Sequence, residues 1–188
     1  MLRHQPSLRT ERLRLRPFIA EDADAIHQLA GVRELADTAI SIPHPYSLAA
    51  AKSWIAGLPH FFRTGTAIHF ALALKSSTEL IGSIALEAID SQNAHAELTF
   101  WVGTPWRRSG YATEAAGETI RFGFSQLSLN CIYAHHLARD PESGHVLRKL
   151  GMKQEGVLRQ RVRKWGVFED LVLYATLRED LGLGGGQE

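Results

Sequence analysis

The fold is decided by residues 97–112, which read ELTFWVGTPWRRSGYA. The first seven residues favour a β-strand, and a helix with apolar residues on one side begins at about Ala112. A strand, a turn and a helix start in this order bring several backbone N–H groups to one point, where an anion is stabilised. Gly110 lets the backbone approach a ligand closely, and the two arginines before it add charged donors. The stretch therefore predicts a phosphate-binding loop at residues 107–112.

Other phosphate-binding motifs are absent from the chain. There is no G-x-x-x-x-G-K-[ST], and no G-x-G-x-x-G lies between a strand and a helix. The common nucleotide-binding loops are thereby excluded. Taken alone, the pattern R-x-x-G-x-A is weak, because two arginines beside a glycine also occur in loops that only face water.

The rest of the sequence alternates between strand and helix patterns. Seven segments have the period or composition of strands: 10–18, 67–74, 80–89, 94–103, 130–136, 153–164 and 168–177. Four have helical spacing or helix-start signals: 20–30, 47–62, 112–127 and 140–150. The order β-α-α-β-β-β-α-β-α-β-β predicts an α/β (α+β) fold with a mixed sheet and helices on its faces.

Length and composition predict one globular domain over residues 1–188. The 188 residues are 45% hydrophobic and 22% charged, and the glycine-rich segment 182–188 is expected to be a flexible tail. The net charge of +1 gives no strong field toward nucleic acid or membranes. With one cysteine, no intramolecular disulfide is possible, and no apolar run approaches the roughly 18 residues of a membrane span. The expected location is the cytoplasm.

The nine histidines do not form a convincing metal site. His135 and His136 are adjacent and therefore point to opposite faces of a strand. The pair His95 and Glu97 lacks the further ligands that a catalytic metal needs. We expect no metal.

Four ordered motifs together resemble one protein family. They are TERLRLRP at 10–17, AELTFWVG at 96–103, WRRSGYATEA at 106–115, and LRKLGM at 147–152 followed by Glu155 and Gly156. This series resembles the GCN5-related N-acetyltransferases, and within them the Rim-like branch that includes N-terminal acetylases of ribosomal proteins. The resemblance extends from about residue 10 to residue 180.

The resemblance implies the GNAT fold and an acetyl-CoA site. The fold is a mostly antiparallel sheet of six to seven strands with about four helices, in which a splayed pair of parallel strands holds the cofactor. The pyrophosphate is expected on the loop at 107–112, and the pantetheine arm on the backbone at 100–102. The implied cofactor-binding residues are Phe100, Trp101, Val102, Arg107, Arg108, Ser109, Gly110, Tyr111, Ala112, Thr113 and Asp140. Asp140 replaces the usual asparagine of the family, and its carboxylate cannot donate an amide N–H.

Acetyl transfer by direct attack needs a base for the amine and an acid for the leaving thiolate. Glu97 and Glu155 are the candidate bases, although Glu97 also fits a structural ion pair and Glu155 a solvent-facing strand residue. Many family members carry a tyrosine acid where this chain has Leu147. Ser143 matches the serine proposed as a substitute in the Rim-like branch, and it also fits a simple helix-cap role.

The resemblance therefore predicts an acyl-CoA-dependent N-acetyltransferase whose acceptor is a protein N-terminus or a small-molecule amine. Two alternatives keep the same fold: a catalytically weak CoA-binding or sensory module, and an antibiotic-modifying acetyltransferase. No nucleic acid or membrane partner is expected, and the chain is a monomer or a homodimer. Aromatic residues of the second helix, Trp54 among them, either wall the acceptor site or belong to the core.

Overall fold

The computed structural model describes residues 3–182, so that most of the predicted flexible tail at 182–188 lies outside the described residues. Its eight strands are β1 (Leu8–Arg9), β2 (Leu13–Arg16), β3 (Ile68–Leu74), β4 (Leu80–Asp90), β5 (His95–Val102), β6 (Cys131–Leu137), β7 (Lys153–Lys164) and β8 (Val167–Leu177). Its five α-helices are α1 (Ala23–Ala30), α2 (Arg33–Thr38), α3 (Leu48–Thr64), α4 (Tyr111–Gln126) and α5 (Pro141–Lys149). In residues 3–182, no helix is long and apolar enough to cross a membrane.

All eight strands form one sheet in the order β1-β2-β3-β4-β5-β6-β8-β7. Only the neighbours β5 and β6 are parallel within this described sheet. β2 shows the alternation that the sequence predicted. Leu13 and Leu15 are fully buried, whereas Arg14 between them is exposed. The predicted fold class, a mostly antiparallel mixed sheet with one parallel pair, is confirmed.

One short strand and one short α-helix were not predicted. β1 has two residues, which pair with β2 through Leu8 opposite Leu15. α2 has six residues and buries Leu35 and Ala36. Neither segment is long enough to show a period in the sequence. The sheet therefore has one strand more, and the fold one helix more, than the sequence indicates.

The helices lie on both faces of the sheet. α4 and α5 cover one face through the main apolar cluster, to which Phe70 and Leu72 of β3 belong. α1 and α3 cover part of the other face, where Ala71 is buried. Side chains of β5 follow the same alternation, so that Leu98 packs toward α4 whereas Trp101 packs toward α1 and α3. Odd-numbered residues of β5 therefore face away from α4.

The parallel pair is joined over only a short length. Its three Cα pairs are His95 with Cys131, Ala96 with Ile132, and Glu97 with Tyr133. Beyond them β5 continues to Val102 and β6 to Leu137 without pairing to each other. The sheet consequently parts along the last five residues of β5, as the resemblance implied.

Helix starts agree with the capping signals of the sequence. Ser47 caps α3, because its Oγ accepts a hydrogen bond from the N–H of Ala50 at 3.1 Å. Asp140 caps α5 by accepting from the N–H of Ser143, and Pro141 takes the first helical position. The predicted strands and helices are confirmed to within a few residues.

Burial of His69 on β3 gives the fold a sensitivity to acid. Only 7% of its side chain is exposed, it packs edge-on against Trp54, and burial lowers its pKa to about 4. Because the folded pKa lies below the ordinary value, the unfolded chain binds the extra proton first as the pH falls. Between pH 6.5 and about 4 the stability falls, by up to about 3 kcal/mol.

A His69→Gln variant is therefore expected to lose much of this dependence. The check is the urea midpoint at pH 7 and at pH 5, compared with wild type. His60→Gln, on the exposed side of α3, is the matched control and should keep the wild-type pH slope. Equal slopes in the His69→Gln variant and in wild type would contradict the assignment.

Candidate active site

A cavity of about 540 Å³ opens where β5 and β6 part, between the end of β5, the start of α4 and α5. Ten of the eleven residues implied for the cofactor line it: Phe100, Trp101, Val102, Arg107, Arg108, Gly110, Tyr111, Ala112, Thr113 and Asp140. Ser143 lines it as well, whereas Ser109, Glu97 and Glu155 are not among its lining residues. One concave site thus collects residues from three segments, within 35–39, 100–113 and 140–149.

The loop before α4 has an unusual backbone conformation. Arg108 has a φ of 61°, and Gly110, which precedes the first residue of α4, has a φ of 81°. The left-handed region is readily open to glycine and costs other residues free energy. The loop ends on α4, whose first N–H groups, those of Tyr111, Ala112 and Thr113, come before the first hydrogen bond within the helix. These N–H groups and the helix dipole favour an anion at this wall of the cavity.

The two arginines of the loop have different environments. The guanidinium of Arg107 turns inward, with Nε 3.4 Å from the carbonyl oxygen of Val102. The Arg108 side chain is 83% exposed and pairs with Glu142 of α5, with Nε 3.0 Å from Oε1. An exposed pair of this kind adds little stability, so an incoming phosphate can replace Glu142 at small cost.

On the α5 side, Asp140 and Ser143 form one hydrogen-bonded unit. The Ser143 hydroxyl donates to Asp140 Oδ2 at 2.6 Å, and the Ser143 N–H donates to Oδ1 at 3.4 Å. The Asp140 side chain is therefore committed to the helix cap. Ser143 completes this cap and lines the cavity at the same time, so both sequence interpretations of Ser143 fit the geometry.

Glu97 lies at the point where β5 and β6 part, on the face of the sheet opposite α4. Its Oε1 is 3.0 Å from Nδ1 of His135 on β6. Both side chains are only partly exposed. From its sequence context, His135 was a candidate only for a metal ligand. His135 and Tyr133 are two residues apart on β6, so their side chains point to the same face of the sheet. Glu97 is the strand partner of Tyr133 and shares that face.

One further carboxylate and a tyrosine lie beside this pair. Glu87 of β4 is the direct strand neighbour of Glu97. Burial raises the pKa of the Glu87 carboxyl, a hydrogen bond with Thr99 opposes the rise, and the charge of Glu97 adds to it. Burial, assisted by Glu97, also raises the pKa of Tyr133. The surroundings of Glu97 therefore favour a positively charged or proton-donating group such as an amine.

The other candidate base, Glu155, lies elsewhere on the sheet. It is exposed at a bulge of β7 between Gln154 and Gly156, and β8 separates it from β6. The pKa of the half-buried Cys131 thiol is raised first by burial and further by the charge of Glu155. The charge of Glu155 is therefore felt at Cys131, in the part of β6 that pairs with β5, and away from the cavity.

The end of β7 and the turn after it reach the last turn of α2 and the segment that follows α2. Trp165 Nε1 donates to Asp37 at 2.6 Å, and Lys164 Nζ donates to the carbonyl oxygens of Ala39 at 2.6 Å and Ile42 at 3.0 Å. Ala39 itself lines the cavity. Polar contacts thus fix this segment beside the site. Trp54 of α3, by contrast, packs against Phe18 with ring centroids 5.0 Å apart.

The match to a family model decides the family, since the acetyltransferase (GNAT) domain model matches residues 12–153. The chain belongs to the GNAT acetyltransferase family. The resemblance seen in the sequence is confirmed, and the chain is an N-acetyltransferase. Among residues 3–182 of this GNAT protein, no group of three or more histidine, cysteine or acidic side chains is arranged to hold a metal ion.

Relatives and solved structures agree with this assignment. The uncharacterized N-acetyltransferase p20 of Bacillus licheniformis is 29% identical over 93% of this GNAT chain and 97% of its own. The [ribosomal protein uS5]-alanine N-acetyltransferase of Escherichia coli is 27% identical over 64% of this chain and 62% of its own. RimL, the ribosomal L7/L12 alpha-N-protein acetyltransferase solved with coenzyme A, is 17% identical, with a TM-score of 0.85 over 92% of this chain and 98% of its own. At that identity the last likeness shows the fold alone.

Proposed function

We propose that this acetyltransferase uses acetyl-CoA and transfers the acetyl group to a primary amine by direct attack, either at a protein N-terminus or on a small molecule. The observation that carries the proposal is the cavity at the parting of β5 and β6, with Gly110 and the start of α4 on one wall. The thioester of acetyl-CoA supplies the acetyl group and a thiolate leaving group. The residues of this chain bind the donor and handle the protons.

The donor half of the site is built mainly from backbone. Residues 98–102 of β5 pair with β4 but not with β6, so their free edge offers strand hydrogen-bonding groups to the amides of a pantetheine arm. The first turn of α4 and the inward guanidinium of Arg107 offer donors to a pyrophosphate. Arg108, Lys149 and His145 lie on the outer wall, where further phosphate charge is expected.

For the acceptor half, we assign Glu97 as the base. The strands part just after Glu97, and its side chain lies on the face of the sheet away from α4. We infer that the acceptor amine approaches on this face. It accepts the amine proton, directly or through water, while His135 holds its orientation through the 3.0 Å contact. Glu155 is the other candidate base, and its variant is compared with that of Glu97.

For the leaving group, we assign Ser143. Its hydroxyl lines the cavity and points to Asp140 at 2.6 Å. To protonate the thiolate, this hydroxyl turns from Asp140 toward the sulfur and gives up its proton, which water then replaces. Asp140 holds the serine in place and keeps the start of α5 fixed.

The test of the function is release of free CoA thiol from acetyl-CoA with a panel of amines. The panel pairs peptides with a free N-terminus against the same peptides with a blocked N-terminus, and adds small polyamines and amino sugars. At least one free amine is expected to release thiol well above the hydrolysis background. A protein N-terminus is the first acceptor to test, because the relative from Escherichia coli acts on ribosomal protein uS5.

The contrary outcome is equally specific. If acetyl-CoA binds but no amine raises thiol release above background, the chain is a CoA-binding module without turnover. If acetyl-CoA itself does not bind, the donor assignment is wrong.

A further inference from the structure

Arg12, between β1 and β2, makes an unusual set of contacts with the loop before α4. Its backbone N–H donates to Glu114 Oε1 at 2.8 Å, and its Nε donates to Oε2 at 2.6 Å. Its Nη1 donates to the carbonyl oxygen of Ser109 at 2.9 Å. The guanidinium carbon lies 4.4 Å from the centre of the Tyr111 ring. Arg12, about 100 residues away in sequence, therefore holds the loop on both sides of Gly110.

The partner carboxylate has a charge that opposes phosphate binding. Glu114 is in the first turn of α4, and its N–H donates to the carbonyl oxygen of Gly110 at 3.0 Å. Burial pushes its pKa upward, but hydrogen bonds from Thr10 and Arg12 hold the pKa below its ordinary value. Glu114 is consequently an anion at the N-terminal end of α4, where the phosphate, another anion, is expected to bind. Its repulsion has to be cancelled by a neighbouring cation.

We propose that Arg12 is a positioning residue for the donor pyrophosphate: it fixes residues 109–111 and neutralises Glu114, so that the start of α4 stays available to phosphate. This role rests on the proposed use of acetyl-CoA.

Stability alone is a poor explanation of the contacts. The Arg12 side chain is 42% exposed, and an ion pair with one exposed partner contributes little to folding. The loop, however, has left-handed backbone at Arg108 and Gly110, and such conformations persist when surrounding contacts hold them. The Ser109 carbonyl and the Tyr111 ring are the points at which Arg12 holds this loop.

The experiment is a double-variant cycle on acetyl-CoA binding, measured by calorimetry. Arg12→Gln removes the cation and leaves Glu114 unpaired, so binding is expected to weaken about tenfold or more. Glu114→Gln alone should bind within about threefold of wild type, and the Arg12→Gln/Glu114→Gln pair should regain most of the lost affinity. The loss in Arg12→Gln should shrink as salt is raised.

A matched control and a kinetic readout separate this role from a structural one. Arg14→Gln removes the same charge from the same β-hairpin, on an exposed side chain outside the cavity, and should bind like wild type. In turnover assays Arg12→Gln should raise the KM for acetyl-CoA with little change in kcat. Arg12→Lys keeps the charge without the planar fork and should fall between wild type and Arg12→Gln.

The cycle also has clear contrary results. Equal losses in Arg12→Gln and Arg14→Gln, or no recovery in the double variant, would overturn the role of Arg12 while leaving the donor assignment intact. Failure of wild type to bind acetyl-CoA would overturn both. A large drop in the unfolding temperature of Arg12→Gln with wild-type affinity would show a structural role instead.

Discussion

A Gly110→Trp variant is expected to fold and to lose acetyl-CoA binding by at least about 100-fold, or about 2.7 kcal/mol. The φ of 81° at Gly110 strains any side chain, and a Cβ added there would come within 3.3 Å of the Arg12 guanidinium. A bulky indole at this point blocks the approach of phosphate to the backbone and displaces Arg12 from the loop. Calorimetry with acetyl-CoA measures the loss.

The control for this variant is Gly166→Trp. Gly166 in the turn between β7 and β8 has a similar φ of 84°, and no atom lies within 4 Å of an added Cβ. Both variants carry the conformational cost of roughly 1–2 kcal/mol, so their unfolding temperatures should fall by similar amounts. Only Gly110→Trp should lose its affinity for acetyl-CoA. Wild-type affinity in Gly110→Trp would refute the phosphate-loop assignment.

Glu97→Gln is expected to lower kcat by about 10²- to 10⁴-fold, because the isosteric amide cannot accept the proton of the amine. The cavity itself is unchanged by this substitution, since Glu97 does not line it. The KM for acetyl-CoA should therefore stay near the wild-type value. Steady-state thiol release with a saturating amine gives both constants.

Two companion variants make this prediction sharp. Glu155→Gln should keep most of the turnover, because Glu155 is exposed on β7 and β8 separates it from β6. His135→Gln should lower kcat less than Glu97→Gln, since His135 only orients the carboxylate. If Glu155→Gln is the slower enzyme instead, the role of base passes to Glu155.

Local signals in the sequence predicted most of the fold. The alternation of Leu13 and Leu15 with arginines, and the caps at Ser47 and Asp140, are written within a few neighbouring residues. The conformation of the loop at 107–112, the proposed phosphate site, was also accessible, because it depends on the chain order of strand, turn and helix. Family resemblance then gave the parting of the strands, which no local pattern reveals.

What the sequence did not predict depends on contacts between distant segments. The pair of Glu97 and His135 requires two strands to lie side by side in a known register. The contact of Arg12 with Glu114 requires the β1–β2 hairpin to lie against α4. Arg12 and Glu114 lie in motifs, and alternation gives the face of His135, but no pattern in a single sequence shows that the two members of each pair touch. Only the folded chain brings them together.

The parting of β5 and β6 also has an evolutionary consequence. On the proposed function, the donor is bound largely by main-chain groups, which a change of side chain does not alter. The acceptor, in contrast, meets side chains such as Glu87 and Glu97, and the segment after α2 that polar contacts fix beside the site. Sequence drift can therefore replace the acceptor while the donor is inherited unchanged. One scaffold can in this way supply a lineage of enzymes that share a reagent and differ in what they modify.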